Sequence, residues 1–312
     1  MMSGPPDLVC VGHVVQEMIY FPDSTSGPVL GSPPAYCSVA AARQGTRTGL
    51  VTKIGLDTPA HLLRPIVEAG VDTTGVDATG LTTQTALVYD SRGNKEIRYP
   101  AKAEPITAKD VPASYVGCAM VYVCTMDSDV LVEDIPGVVS LGRASAVDLG
   151  GYGGAHMGKE HREATASLAD LACRVSSYFN VVKASDEDAA LIFRREDPDA
   201  AAEKLLACGP DVVVITAGRN GALVYTRHGR CAIPPVLSAA IDTTGGGDTF
   251  MAGFLSEYLR SRDPVKSAQW GCATASWVIE QTGGVRLDRM PTFDQVRERA
   301  NAAYAQHLSK ES

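Results

Sequence analysis

Gly245, Gly246 and Gly247 stand in succession immediately before Asp248, and no other stretch of the chain has residue types so well suited to chemistry. Glycine lacks the Cβ that blocks positive φ or holds an anion away from the backbone, so three in a row can turn their N–H groups inward as a phosphate cradle. Phe250, Leu255 and Tyr258 then recur on a rough helical period, which puts those amides at a helix N-terminus, where the dipole also favours negative charge. A carboxylate is an ordinary capping choice there, and a plain glycine-rich turn with a capped helix accounts for the same residues. Inside a phosphate cradle, however, Asp248 repels the ligand unless it has a task. The task that fits is accepting a proton from a hydroxyl that attacks the phosphate.

Such a cradle needs a scaffold, and the composition supplies one. The chain has 312 residues, 45% hydrophobic and 21% charged, enough for one large core. A formal net charge of -8 and a pI near 5.3, with no Lys/Arg run, speak against a nucleic-acid partner and for a small-molecule one. Eight cysteines lie scattered without a C-x-x-C pair and read as buried free thiols of a reducing compartment. The sequence shows neither a leader-like start nor an apolar run of about 18 residues, which predicts a soluble, cytoplasmic protein with no membrane partner.

Residues 8–12 are a short apolar run ending in glycine, the pattern of a buried parallel strand. Ligands collect at the carboxyl ends of such strands, and Glu17 lies just past Gly12. An exposed carboxylate on an alternating strand explains Glu17 equally well. Residues 51–54, 120–124, 144–149, 180–183 and 211–216 read as further strands, and 222–225 as a hairpin partner of the last. Helices are expected over 35–44, 161–179, 197–209 and 263–281, with a final one capped by Thr292 and Gln295. Residues 83–101 break the alternation as an antiparallel hairpin about a turn at 90–94. With residues 14–30 this hairpin makes a small second sheet over the region beyond Gly12. The expectation is one α/β domain spanning 1–312, a doubly wound and mostly parallel sheet flanked by helices, with a β lid from about 14–30 and 83–101.

Asp242-Thr243-Thr244-Gly245-Gly246-Gly247-Asp248 is similar to the Asp-Thr-x-Gly-Ala-Gly-Asp signature of the ribokinase, or phosphofructokinase-B, family of carbohydrate kinases, with Gly246 in place of alanine. The resemblance extends over essentially the whole chain. It implies a ribokinase-like fold, phosphoryl transfer from ATP with Mg²⁺ to an alcohol, Asp248 as catalytic base, and the amides of Gly245 to Gly247 as anion hole. Thr216-Ala217-Gly218-Arg219-Asn220-Gly221 resembles the family's turn at the nucleotide phosphates, and residues 273–284 its adenine-side helix and loop. Thr216, Gly218, Gly221, Asp242, Thr243 and Ala273 are thereby implied on the nucleotide side. Ser185 and Asp188 fall where relatives carry Asn-x-x-Glu, implying metal placement by Asp188; an acidic helix N-terminus explains Asp188 as well. The family's use of K⁺ would draw on backbone carbonyls near Asp242 and Gly284.

The acceptor end departs from the family pattern. Ser32 replaces a glycine, Tyr36 the sugar-binding Asn, and Glu17 the Asp after the first strand; with Gly12 these are the implied substrate residues. No Lys or Arg occurs over residues 12–36, so a phosphate already on the acceptor has no counter-charge there. An uncharged sugar, inositol-like cyclitol or nucleoside is favoured. A non-catalytic nucleotide or sugar sensor on the same fold is the alternative, and it predicts loss of the base that Asp248 retains. An exposed lid edge offers a surface for a homodimer.

Overall fold

Consecutive residues of the first strand go to opposite sides: Leu8 and Cys10 join one hydrophobic core, Val9 and Val11 a second. The period of two follows from the pleat, and burial on both faces explains why the run is apolar throughout. Each fully buried Val or Leu contributes roughly 1.5–3 kcal/mol. The computed structural model describes residues 4–56, 58–91, 95–194 and 197–308.

In chain order the strands are β1 (Leu8–Val11), β2 (Val15–Phe21), β3 (Ser24–Gly31), β4 (Thr48–Gly55), β5 (Asp72–Gly80), β6 (Thr83–Tyr89), β7 (Lys95–Ala101), β8 (Met120–Val123), β9 (Ser145–Asp148), β10 (Val181–Ser185), β11 (Val212–Thr216), β12 (Ala222–Thr226) and β13 (Gly229–Ile233). Nine of them form one sheet, ordered β13-β12-β11-β10-β9-β8-β1-β4-β5. All its pairings are parallel except β11 with β12 and β12 with β13. The chain leaves β1 toward β4 and β5, then returns to β8 on the other side of β1. That reversal is the switch point at which open α/β sheets bind ligands. The helices Pro33–Arg43, Gly246–Ser261, Pro264–Val278 and Phe293–Leu308 cover one face, and Leu168–Ser176, Asp186–Ile192 and Pro198–Ala207 the other.

The expected lid is a four-stranded sheet ordered β3-β2-β6-β7. β6 and β7 pair antiparallel as the expected hairpin, while β2 and β6 run parallel. Residues 92–94 of the expected turn lie outside the described residues. The lid is tied to the main body at one end: Val285 N–H donates to the Leu30 carbonyl at 2.9 Å, and a Cβ on Gly284 would stand 2.3 Å from that oxygen. No helix among the described residues is long and apolar enough to cross a membrane.

Three expectations change. The helix over 161–179 is two, Lys159–Ala164 and Leu168–Ser176, because Ser167 accepts the Asp170 N–H and restarts the second as an N-cap. β5 and β13 lie at the sheet's edges and were not expected. Cys173 and Cys208, both half-buried on neighbouring helices with Cα atoms 5.5 Å apart, are joined as a disulfide, whereas the sequence suggested free thiols.

Candidate active site

Gly245 has φ +78° and caps the helix Gly246–Ser261, a left-handed conformation that favours glycine. Its missing Cβ matters twice, since that atom would stand 2.4 Å from the Tyr36 ring. Asp248 is the third residue of this helix, only 8% exposed. Thr249 closes the turn from behind, its N–H and hydroxyl both donating to the Gly245 carbonyl, at 2.9 and 2.8 Å.

A buried cation faces this turn. Lys183, at the middle of β10, places Nζ 2.9 Å from Asp148 Oδ2 and 3.9 Å from Asp188 Oδ2. It also lies 3.3 Å from where a Cβ on Gly247 would be. Burial alone pushes the ammonium's pKa down, but the carboxylates of Asp148, Asp188 and Asp248 outweigh it and hold the group charged. Burial conversely pushes Asp188 up, and Lys183 with the backbone N–H groups of Ala155 and Ser185 holds it below the usual carboxylate range. Asp188 Oδ1 accepts from Ala155 N–H and Oδ2 from Ser185 N–H, each at 2.8 Å, while Ser185 Oγ accepts the Asp188 N–H at 2.9 Å. Asp188 is thus half of a capping box on the helix Asp186–Ile192.

At the lid end, Glu17 of β2 is buried and accepts from Thr85 Oγ1 of β6 at 3.2 Å. Ser32 is buried, and its hydroxyl has no hydrogen-bond partner among the described residues; nor has His156 Nδ1. A buried hydroxyl beside a cavity has a lone pair and a proton open to a ligand or a water. Glu17, Ser32, Tyr36, Asp188, Thr243, Gly245, Gly247 and Asp248 all line one cavity of about 190 Å³ beneath the lid. Leu87, Tyr89 and Ile97 of the lid, and Met126 beyond β8, add an apolar wall.

The other predicted residues lie away from this cavity. Gly246 belongs to the turn, where its N–H donates to the Thr243 carbonyl at 3.1 Å, without lining it. Gly12 serves packing: a Cβ there would stand 2.3 Å from the Cys124 carbonyl. Thr216 pairs in register with Ser185, one strand from the cavity, and Gly218 and Gly221 flank the tight turn that follows. A Cβ on Gly221 would stand 2.1 Å from the Ile233 carbonyl. Asp242 Oδ1 accepts the Thr244 N–H at 2.9 Å and so shapes the turn leading into the glycines. Ala273 is fully buried in the core between helix and sheet. Lys183 was missed, although a lysine inside an apolar strand, followed by Ala184 and Ser185, is a signal of a buried charge with a partner.

The carbonyls near Asp242 and Gly284 are not open to a free cation either. Arg289, with no exposed surface, donates from Nη2 to the carbonyls of Thr244 (2.9 Å) and Asp242 (3.3 Å). Its Nη1 donates to the carbonyls of Gly283 and Gly284 and to the Tyr36 hydroxyl, and Nε to the Val278 carbonyl. Among the described residues no group of three or more His, Cys, Asp or Glu could hold a metal. The carboxylates that do face the cavity suit an ion bound mostly by substrate phosphates, the usual habit of Mg²⁺.

The pfkB family carbohydrate kinase pattern matches residues 7–290, and the chain belongs to that family. It is similar to the cytidine kinase of Thermococcus kodakarensis, 28% identical over 281 residues that cover 89% of this chain and 97% of that protein. The nucleoside kinase of Methanothermobacter thermautotrophicus is 25% identical over 310 residues, covering 90% and 92% of the two chains. Among solved structures, the Methanocaldococcus jannaschii nucleoside kinase, an archaeal member of the ribokinase family, has a TM-score of 0.74 at 21% identity, covering 96% of this chain and 100% of that one.

Proposed function

We propose that this kinase transfers the γ-phosphoryl group of ATP to a hydroxyl of a nucleoside, with an uncharged sugar or cyclitol as the competing acceptor classes. The observation that carries the reading is that the anion turn, Asp248 and the acceptor-side Glu17 and Ser32 line a single cavity. Lys183 is the one Lys or Arg among the described lining residues, and it is paired with Asp148 at the Gly247 end. Among the described lining residues, no Lys or Arg stands at the Glu17 end to receive a phosphate already on the acceptor. The apolar wall of Leu87, Tyr89, Ile97 and Met126 suits the flat face of a base, and Glu17 with the Ser32 hydroxyl suits vicinal sugar hydroxyls. The similarity to cytidine and nucleoside kinases supports the same choice.

In this reading Asp248 takes the proton of the attacking hydroxyl, and the amides of Gly245 to Gly247 with the Lys183 ammonium stabilise charge developing on the transferred group. Thr216, Gly218, Gly221, Asp242 and Thr243 form the nucleotide side. Asp188 would help to hold Mg²⁺, and the ion would supply charge neutralisation of the phosphates. The lid edges β3 and β7 are the proposed surface for a homodimer. An ATP-consumption screen over nucleosides, inositols, ketoses and aldoses tests the assignment. Turnover with nucleosides is expected; turnover confined to another class reassigns the acceptor, and ATP binding without any turnover favours the sensor.

A further inference from the structure

Arg289 carries its charge in an unusual setting. It is fully buried, and its ion pair with Asp242 Oδ2 spans 3.8 Å, too long for a hydrogen bond. What surrounds the guanidinium is a shell of neutral oxygens: the carbonyls of Asp242, Thr244, Val278, Gly283 and Gly284, and the Tyr36 hydroxyl. Burying a charge whose nearest counter-ion stands beyond hydrogen-bond reach is expensive unless polar groups surround it, and here the carbonyl shell does so. Five carbonyls with one nearby carboxylate also form the type of ligand set that binds a hard monovalent cation.

The position of the shell says what the charge does. Asp242 and Thr244 belong to the turn leading into Gly245 to Gly247, and Gly283 and Gly284 to the loop that meets the lid at Leu30. Tyr36, held by the same guanidinium, packs its ring against Gly245. One side chain thus joins three segments around the back of the anion turn.

We infer that Arg289 is a built-in cation that takes the place of a dissociable monovalent ion behind the phosphate turn. The inference rests on the nucleotide-side reading of that turn and replaces the expectation of K⁺ there. A free ion would have to displace five donated hydrogen bonds and sit against a like charge. The guanidinium is part of the chain and cannot dissociate as a free ion does, so the site is always filled. Arg289 is a positioning residue in this scheme: it reaches substrate only through the turn and Tyr36.

The test compares the full-length protein in KCl, NaCl and choline chloride at equal ionic strength, reading melting temperature, ADP affinity and, with an accepted substrate, turnover. The wild type is expected to show the same values in all three salts. Arg289→Ala is expected to weaken ADP binding by about tenfold or more, with recovery in KCl or low-concentration guanidinium chloride but not in choline. Arg289→Lys, which keeps the charge and loses the fork, should show partial loss with a smaller K⁺ response. A wild type that is stabilised by, or binds ADP better in, K⁺ than in choline overturns the inference, and so does an Arg289→Ala protein that folds and matches wild type in choline. If Arg289→Ala does not fold, the wild-type comparison still decides. Failure of every acceptor to react, with ADP binding and melting indifferent to K⁺, overturns the acceptor assignment and leaves the built-in cation standing.

Discussion

Tyr36 and Arg289 stand 253 positions apart in sequence, yet the guanidinium donates to the tyrosine hydroxyl over 3.1 Å. Burial pushes the Tyr36 hydroxyl's pKa above its ordinary range against the pull of the Arg289 charge, so the phenol stays neutral and accepts this bond. The contact places Tyr36, a residue of the cavity wall, on the support of the glycine turn, and Gly245 packs directly against its ring.

Gly245→Ala should be severely disruptive while Gly246→Ala should be mild. At residue 245 the new methyl meets the Tyr36 ring at 2.4 Å and the backbone keeps φ +78°; at 246 it meets only Ile279 Cγ2 at 3.2 Å, which can give way. Overpacking and positive φ together cost about 2–5 kcal/mol at the first position. Urea denaturation of the two variants side by side measures the difference, and equal stabilities would remove the packing argument for Gly245.

Asp248→Asn removes the proposed base while keeping shape and most hydrogen bonding. Turnover should fall by roughly 10²- to 10⁴-fold with ADP affinity nearly unchanged. Isothermal titration with ADP beside steady-state kinetics separates the two effects. Near-normal turnover would reassign the base.

Lys183→Met leaves Asp148 and Asp188 buried without their cation. The loss should be about 3–5 kcal/mol, and adding Asp148→Asn should return part of it, because the orphaned carboxylate is removed. A double-mutant cycle by chemical denaturation measures the coupling. A purely additive pair would mean that the ammonium and Asp148 do not interact across their 2.9 Å.

Acid should abolish the contribution of Asp188 to stability. Its folded pKa lies below the usual value, so the folded state binds its proton less readily than the unfolded chain does. The contribution is complete above the unfolded pKa of about 3.9 and is lost as pH falls through the folded one. The stability gap between wild type and Asp188→Asn is therefore widest near neutrality and closes below about pH 4. Denaturation at a series of pH values tests this, and a gap independent of pH would contradict it.

How legible each part was in the sequence follows from where its partners lie. β1, β8 and β11 are buried on both faces and read directly as apolar runs, whereas β5 and β13 line the sheet's edges with Thr, Asp, Gly and Arg and give no such signal. The helical period of Ala164, Leu168, Leu171 and Val175 continues across a real break, because spacing does not register the cap at Ser167. The glycine turn was legible because its own consecutive residues, three glycines ahead of Asp248, carry the pattern. Arg289 was not: it follows Arg286, Leu287 and Asp288 as one more polar residue, and the carbonyls of Asp242 and Thr244 that it meets lie 47 and 45 positions away.

The bond from Val285 to Leu30 has a mechanical meaning. β3 is exposed along residues 24–28 and buried only at Leu30 and Gly31, the end held against Gly284. The lid is held at a second place as well, where the Tyr99 hydroxyl of β7 donates to the His156 carbonyl, and Tyr20 and Phe21 lie exposed at the far end of β2. Leu30 meets the loop whose carbonyls grip Arg289, so the anchored corner of the lid and the back of the glycine turn share one support.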